Sequence, residues 1–170
     1  MAVGLRPLTR DNIWQVVEDL TLHPGQEAFV APNIDSIANA AVEPTFVPLA
    51  IYANDALVGF AMYGQHPRTS AWWVIRLMID REHQGKGYGR AAMKAVIAMM
   101  VERVGCDEIV TSFNPENTVA AHLYASLGFQ PTGEIEDNEP LQLLRVAEHY
   151  AALEQERARS AAPAGQETAG

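Results

Sequence analysis

Three glycines at alternate positions stand between a segment typical of a strand and a segment typical of a helix. They are Gly85, Gly87 and Gly89, within the stretch HQGKGYGR. Glycine lets the backbone take positive φ angles and approach a ligand closely. The N-terminus of a helix adds unpaired N–H groups and the positive end of a dipole. Such a loop is suited to a pyrophosphate, to which Lys86 and Arg90 would add positive charge.

Two familiar phosphate-binding motifs do not fit this loop. The dinucleotide fingerprint G-x-G-x-x-G, begun at Gly85, needs a glycine where Arg90 stands. The P-loop needs Gly-Lys followed by Ser or Thr, whereas Gly87 follows Lys86. We therefore reject both motifs, and a glycine-rich turn without any ligand remains an alternative at this point.

The surrounding elements must place the loop at one end of a buried sheet. Residues 71–80 are apolar on both faces, which is typical of a central strand, and the helix after the loop extends to about Val104. Hydrophobic periodicity predicts further strands over 5–8, 47–53, 56–63, 107–113, 130–135 and 141–146, and further helices over 10–20, 33–41, 118–127 and 147–158. This order indicates one mixed α/β domain over residues 1–156. Residues 157–170 lack large apolar side chains, so we expect a flexible tail there.

Charge and composition narrow the class of protein. The 170 residues carry 12 Lys and Arg against 21 Asp and Glu, for a net charge of −9 at pH 7. That charge argues against nucleic acid as the main partner and is compatible with a cationic substrate, although it could also serve solubility alone. We find neither a signal peptide nor a membrane-spanning run, and therefore expect a cytoplasmic protein without a membrane partner. Cys106 is the single cysteine and the histidines lack metal-ligand spacing, so we expect no metal.

Two motifs in the same order resemble those of the GNAT superfamily of N-acetyltransferases. The stretch Q-G-K-G-Y-G from residue 84 matches the signature Q/R-x-x-G-x-G/A, after a buried strand and at the start of a long helix. The second match consists of N-P-E-N from residue 114, A-A from 120, L-Y from 123 and L-G-F from 127. The resemblance covers about residues 5–146. With G-F-A-M-Y-G from 59 and R-L-M-I-D from 76, the chain looks most like bacterial spermine/spermidine (diamine) acetyltransferases.

The resemblance implies a fold and a cosubstrate. The fold is a mixed central sheet of about six or seven strands with flanking helices, splayed between the fourth and fifth strands. The cosubstrate is acetyl-coenzyme A, whose pantetheine pairs with backbone groups of the fourth strand and whose pyrophosphate lies on the glycine loop. The cofactor-binding residues implied in this way are Leu77, Ile79, Gln84, Gly85, Lys86, Gly87, Tyr88, Gly89, Arg90, Asn114 and Asn117.

Tyr124 is the residue that the resemblance implies as the catalytic general acid. Coenzyme A leaves as a thiolate when an amine attacks the thioester. A phenol of pKa ~10 can protonate a thiolate whose acid has a pKa of ~8.5. Without the resemblance, a tyrosine on the apolar stripe of a helix would be interpreted as a core residue. Because the family uses direct attack without an acyl-enzyme, we interpret Cys106 as a small buried residue and not as a nucleophile.

The acceptor amine has to lose a proton before it attacks, because an alkylammonium group has a pKa of ~10.4. Glu27, Asp35, Glu43 and Asp80 are candidates for the base, and their spacing does not choose among them. We expect the acidic 27–43 region, and to a lesser extent the 134–139 turn, to bind a cationic acceptor. The substrate-binding candidates are Glu27, Phe29, Asn33 and Asp35.

Together these inferences predict an acetyl-CoA-dependent N-acetyltransferase for a small primary amine, in a direct ternary-complex reaction. A polyamine such as spermine or spermidine is the expected acceptor. Two alternatives concern the acceptor, which could be another small amine such as an aminoglycoside or a peptide terminus. A third is that the protein is a sensor that binds acetyl-CoA without turnover. Homodimers are common in the family, so a homodimer is a further expectation.

Overall fold

The computed structural model describes residues 2–161, and a seven-stranded sheet forms its centre. The strand order is β1-β2-β3-β4-β5-β7-β6. Neighbouring strands are antiparallel except for the parallel pair β4–β5. The strands are β1 Gly4–Pro7, β2 Val47–Ala53, β3 Ala56–Gln65, β4 Trp72–Ile79, β5 Glu108–Ser112, β6 Gln130–Glu136 and β7 Glu139–Arg145. The predicted mixed α/β class and strand number are confirmed.

Over residues 2–161, four α-helices and three short helical segments accompany the sheet. The helices are α1 Asn33–Ala40, α2 Tyr88–Val104, α3 Thr118–Ser126 and α4 Val146–Ala161. A π-helical segment covers Gln15–Asp19, and 3-10 turns cover Gln26–Ala28 and Arg81–His83. Gly105 ends α2 in the left-handed conformation at φ 63°, as expected of a C-terminal glycine.

The two faces of the sheet are covered by different helices. On one face, Val96 and Ile97 of α2 and Tyr124 of α3 pack with Val74 and Ile79 of β4. On the other face, residues of the π-helical segment and α1 pack against β2, β3 and β4; the buried members of this second cluster are Val16, Ala50, Tyr52, Phe60, Met62 and Met78. The sheet is thus buried on both sides, which explains why every residue of β4 except Arg76 is apolar.

The predicted splay between the fourth and fifth strands is confirmed. Within the described residues, β4 and β5 pair only at Trp73 and Val110. Just beyond this pair, the side-chain hydroxyl of Thr111 donates a hydrogen bond to the carbonyl oxygen of Val74, 3.1 Å away. The strands separate after that contact, so the carboxyl-terminal half of β4 has a free edge facing β5.

Two predicted helices have a boundary that differs from the structure by more than one residue. The helix expected over 10–20 is a short helical stretch over 13–19 that ends in the π-helical segment. Asn33 donates to the carbonyl oxygen of Val16 at 2.9 Å, and Leu20 is already extended, so tertiary packing replaces the regular helical bonds there. The last helix continues beyond residue 156, the predicted end of the domain, to Ala161. Residues 162–170 lie outside the described residues, and the tail stays a prediction for them.

Candidate active site

The glycine loop lies between β4 and α2 and leaves an open space in front of the helix. Gly85 and Gly87 have φ angles of 72° and 82°, and Gly87 is the N-cap residue of α2. A Cβ atom added at either position would meet nothing within 4 Å. The first helical bond runs from the N–H of Ala91 to the oxygen of Gly87, so the N–H groups of the first turn are free of intrahelical acceptors. A pyrophosphate fits this arrangement.

The two cations of the loop brace the protein backbone. Lys86 is exposed, and its ammonium donates to the carbonyl oxygen of Glu82 at 2.7 Å. Arg90 donates to the carbonyl oxygen of Ser126 at 3.1 Å, which caps the last turn of α3, and lies 3.7 Å from Glu156. Both side chains were predicted to bind the cofactor. In the structure their hydrogen bonds go to the protein, and what they add to the loop is positive charge.

Gln84 joins the glycine loop to the segment before α1. Its side-chain nitrogen donates to the oxygen of Ile79 and to the side-chain oxygen of Gln26, both at 2.9 Å. Gln26 returns a bond of 3.0 Å from its own amide nitrogen to the oxygen of Gln84. This reciprocal amide pair holds the 21–30 segment against the end of β4. Sequence reasoning missed Gln26, because its partner is 58 residues away.

A cleft of about 230 Å³ extends along the free edge of β4 towards α3. It unites many of the residues that the sequence predicted for the donor and the acceptor. Its predicted members are Phe29, Leu77, Ile79, Gln84, Gly89, Asn117 and Tyr124, and its further members include Leu22, Gln26, Val30 and Leu123. The apolar lining and the unpaired strand edge suit an extended chain that adds to the sheet through backbone hydrogen bonds.

The free edge of β4 begins at a β-bulge. Opposite β3, Met62 pairs with Arg76 and Tyr63 pairs with Val74, so Ile75 is the extra residue. A bulge turns the strand and redirects the neighbouring backbone groups. Here it coincides with the point where β5 departs, and the residues of β4 beyond the bulge, Leu77, Met78 and Ile79, line the cleft. The sequence does not predict this bulge, because residues 71–80 are apolar almost throughout and so show no alternation of apolar and polar residues that an extra residue would interrupt.

Tyr124 lies at the splay between β4 and β5. Its side chain is only 7% exposed. The ring stacks on Phe113 with 5.6 Å between the ring centroids, and it meets the ring of Phe129 edge-on with 5.3 Å between the centroids. Its hydroxyl is hydrogen-bonded to the hydroxyl of Thr111. Burial raises the pKa of the Tyr124 phenol, against the Thr111 hydrogen bond and the positive charge of Arg76. The phenol therefore keeps its proton throughout the neutral range.

Arg76 is a second charged group at the bulge. Its Nε donates to the hydroxyl of Ser36 in α1 at 3.1 Å. Burial lowers the pKa of the Arg76 guanidinium, and the negative charges of Glu139 and Asp35 oppose that effect. Arg76 thus links α1 electrostatically to Tyr124 and to the start of β7. In the sequence, Arg76 contributes to the family resemblance but has no predicted role in the site.

The residues predicted as the base and as ligands of the acceptor do not form one group in the structure. Asp80 is 7% exposed and accepts from the backbone N–H groups of Thr21 and Glu82, each at 3.0 Å, and from the Thr21 hydroxyl at 3.2 Å and the His83 ring at 3.1 Å. All of its acceptor positions are engaged, so Asp80 anchors the end of β4 and is a poor base. The carboxylate of Glu27 accepts from the N–H of Gly25 at 2.8 Å.

Asn33 and Asp35 lie on α1 with different surroundings. Asn33 is 8% exposed and its amide is occupied by the carbonyl oxygen of Val16, so it positions α1 and does not reach the cleft. Asp35 is exposed and acts on Arg76 through its charge. Of the four predicted acceptor ligands, Phe29 is the one that lines the cleft.

The two predicted asparagines shape the start of α3. The side-chain oxygen of Asn117 accepts from the N–H of Ala120 at 3.0 Å and caps the helix, as the sequence predicted. Asn114 accepts from the N–H of Glu116 at 2.9 Å. Asn117 also lines the cleft. Both asparagines therefore fix the turn that closes one wall of the cleft.

Cys106 is buried at 7% exposure, and burial raises the pKa of its thiol. Among residues 2–161, no three His, Cys, Asp or Glu side chains are grouped to hold a metal ion. No helix in the same part of the chain is long and apolar enough to span a membrane.

Comparison with known proteins places this arrangement in a family. The family model described as Acetyltransferase (GNAT) family matches residues 13–129. The spermine/spermidine N(1)-acetyltransferase of Bacillus subtilis strain 168 is 31% identical over 144 residues, which are 81% of this chain and 94% of that protein.

Solved structures share the fold. The spermidine N-acetyltransferase of Vibrio cholerae, determined with CoA and spermine, superposes with a TM-score of 0.69 at 17% identity, covering 87% of this chain and 98% of that one. The aminoglycoside acetyltransferase AAC(6')-Ib, determined with coenzyme A, has a TM-score of 0.71 at 17% identity, covering 92% and 99%. The family match, the relative at 31% identity and the splayed sheet agree: the chain is an N-acetyltransferase of the GNAT family.

Proposed function

We propose that this protein transfers the acetyl group of acetyl-CoA to a primary amine of a polyamine such as spermine or spermidine. The observation that carries the proposal is the similarity to a Bacillus subtilis spermine/spermidine N(1)-acetyltransferase over nearly the whole of that protein. The net charge of −9 supports a cationic acceptor.

The donor is held by the backbone of two elements. Acetyl-CoA supplies a thioester whose carbonyl carbon is open to attack by an amine. The loop 84–90 would hold its pyrophosphate through N–H groups, with Lys86 and Arg90 as nearby charges and Tyr88 in the first turn of α2. The free edge of β4 at Leu77 and Ile79 would pair with its pantetheine. A backbone N–H near the bulge would polarise the acetyl carbonyl.

Tyr124 acts as the general acid in this proposal. Thr111 and the two flanking aromatic rings fix the direction of its hydroxyl. Because its pKa is raised, the phenol is protonated when the sulfur needs a proton. The buried, high-pKa thiol of Cys106 supports direct attack by the amine without an acyl-enzyme.

Acidic groups surround the acceptor side of the splay. Asp35 and Glu139 both act on Arg76, and Glu136 lies in the same hairpin as Glu139. Asp35 and Glu139 would draw in a chain with several ammonium groups, while Phe29 would support methylenes that reach the cleft.

The test is thiol release from acetyl-CoA with spermine, spermidine, putrescine, an aminoglycoside and a short peptide as acceptors. We expect kcat/KM to be highest with spermine or spermidine. Preferred turnover of the aminoglycoside or the peptide would overturn the polyamine assignment, and binding of acetyl-CoA without turnover of any acceptor would support a sensor instead. The homodimer and the cytoplasmic location stay predictions.

A further inference from the structure

A second cavity, of about 190 Å³, opens beside the splay and is not part of the cleft described above. It lies between β4, β5 and the β6–β7 hairpin, and its lining includes Trp73, Ile75, Ser112 and Glu139. Ile75 is the extra residue of the bulge, and Ser112 follows Thr111 in β5. The cavity therefore reaches the place where the main chains of β4 and β5 part.

Glu139 reaches this place from the face opposite to Tyr124. Its Oε2 accepts a hydrogen bond from the hydroxyl of Ser112 at 2.6 Å, whereas Tyr124 is bonded to the neighbouring Thr111. Successive side chains of a strand point to opposite faces of the sheet. The Tyr124 phenol and the Glu139 carboxylate thus approach the splay from opposite faces of the sheet. They are close enough for Glu139 to act by its charge on both Tyr124 and Arg76.

Two other carboxylates near the site, those of Glu136 and Asp80, are engaged by more donors than Glu139. Asp137 also lines the cavity but is exposed at the hairpin turn, and Asp35 is exposed on α1. Glu136 lines the same cavity, but its Oε1 is held by Arg68 and by the ring of His66. The carboxylate of Asp80, at the end of β4, accepts four hydrogen bonds. Among the described residues, Glu139 has one neutral hydrogen-bond donor, and its Oε1 has no hydrogen-bond partner. This oxygen is free to take a proton.

The wall of the cavity suits an alkylammonium group. Trp73 lines it and stacks on His66 at 5.3 Å between ring centroids, with 30° between the planes. An indole face attracts a cation and also packs against methylenes. An amine that entered this cavity would therefore meet an aromatic side chain and a carboxylate together.

We propose that Glu139 is the general base that deprotonates the acceptor amine in this cavity. The inference rests on the proposed function only in that the acceptor arrives as an alkylammonium ion. One N–H bond of the ammonium breaks, its proton goes to Oε1 of Glu139, and its electron pair stays on nitrogen. That pair forms the bond to the acetyl carbon. As the C–S bond breaks with its electrons on sulfur, Tyr124 gives its proton to sulfur. A second N–H proton of the former amine restores the phenol, and Glu139 returns its proton to solvent.

The test compares Glu139→Gln with Glu108→Gln, a glutamate at the far end of the same β5–β7 ladder. Glutamine can still accept from Ser112, so the fold is preserved, and the melting temperature and the Kd for acetyl-CoA check this directly. With spermidine at pH 7 we expect kcat of Glu139→Gln to fall about 100-fold. The deficit should shrink as pH rises towards 10, because the amine then loses its proton unaided. Glu139→Asp keeps a carboxylate and should retain the wild-type pH profile at a reduced rate.

Three other outcomes would contradict either the assignment of Glu139 as the base or the polyamine proposal. A Glu139→Gln variant with wild-type kcat, or with only a raised KM and an unchanged pH profile, would refute the base assignment. A deficit that is constant with pH would also refute it, since that is the result for a structural role. If wild-type protein prefers another amine, the polyamine proposal fails, and the same comparison with that amine still decides the role of Glu139.

Discussion

The hydroxyl of Thr111 and the carbonyl oxygen of Val74 are 3.1 Å apart and join β4 to β5 at the last point before the strands separate. The same hydroxyl is hydrogen-bonded to Tyr124. One buried side chain, 1% exposed, therefore fixes both the position of the splay and the direction of the phenol. A change at Thr111 should affect stability and turnover together.

Replacing Thr111 with Val removes the hydroxyl but keeps the shape. Because the oxygen of Val74 and the hydroxyl of Tyr124 then lose a buried partner, we expect a stability loss of about 1–3 kcal/mol and a lower kcat. Chemical denaturation and thiol release measure the two effects. Thr111→Ser keeps the hydroxyl and should retain most of the turnover. Equal kcat for the Val variant and the wild type would show that Thr111 does not orient Tyr124.

The amide pair between Gln26 and Gln84 predicts a coupling between the donor loop and the 21–30 segment. Gln26→Ala removes both bonds of the pair while the bond from Gln84 to Ile79 remains. Losing the amide pair should cost about 1 kcal/mol of free energy for holding the 21–30 segment in place. We therefore expect KM for the acceptor to rise about 5-fold with little change in kcat. Steady-state kinetics beside the exposed control Gln155→Ala would detect this. An unchanged KM would mean that the segment is held by other contacts.

Asp80 predicts a specific dependence of stability on pH. Burial raises the pKa of its carboxyl, but hydrogen bonds from Thr21, His83 and Glu82 outweigh it, so the pKa lies below 3.8. Since the folded-state pKa is lowered, the stabilisation is complete above pH 3.8 and is lost as the pH falls through the folded-state value.

Asp80→Asn is accordingly expected to lower the melting temperature at pH 7. The difference from the wild type should narrow as the pH drops below 3.8. Thermal unfolding at a series of pH values measures it. A difference that stays constant with pH would show that the ionised carboxylate contributes nothing.

Gly87 tests the donor site. Gly87→Trp and Gly105→Trp place the same side chain at the two ends of α2, each at a positive φ and each with nothing within 4 Å of the added Cβ. The backbone strain, about 1–2 kcal/mol, should be similar. Only the Gly87 variant should weaken acetyl-CoA binding, by at least 10-fold, in a calorimetric titration. Comparable affinities in both variants would remove the loop from the donor site.

Local patterns in the sequence predicted most of the fold. The glycine loop, the cap at Asn117 and the end of α2 at Gly105 each depend on nearby residues. The π-helical segment was missed because the bond from Asn33 to Val16 is a tertiary contact across 17 residues. The end of α4 was missed because a polar helix lacks a strong apolar period.

Several residues predicted for the donor share one cleft, whereas of the residues predicted for the acceptor only Phe29 lines it. Leu77, Ile79 and Tyr124 occur in contiguous motifs, and the structure brings them to one cleft. Asn33 proved to be a buried structural residue, and Glu139 did not stand out among the acids of its hairpin. Which carboxylate faces the splay depends on the β5–β7 register, where Ser112 is opposite Leu141. No local pattern contains that register.

Turnover of spermidine by Tyr124→Phe is the most direct test of the central claim, that a buried phenol at the splay protonates the leaving thiolate. The substitution removes one oxygen atom and keeps the stacking on Phe113 and the edge-on contact with Phe129. We predict that kcat falls at least 100-fold while the Kd for acetyl-CoA is unchanged, and that wild-type activity persists to about pH 10 because the phenol pKa is raised. Wild-type kcat in the variant across that pH range would contradict the account.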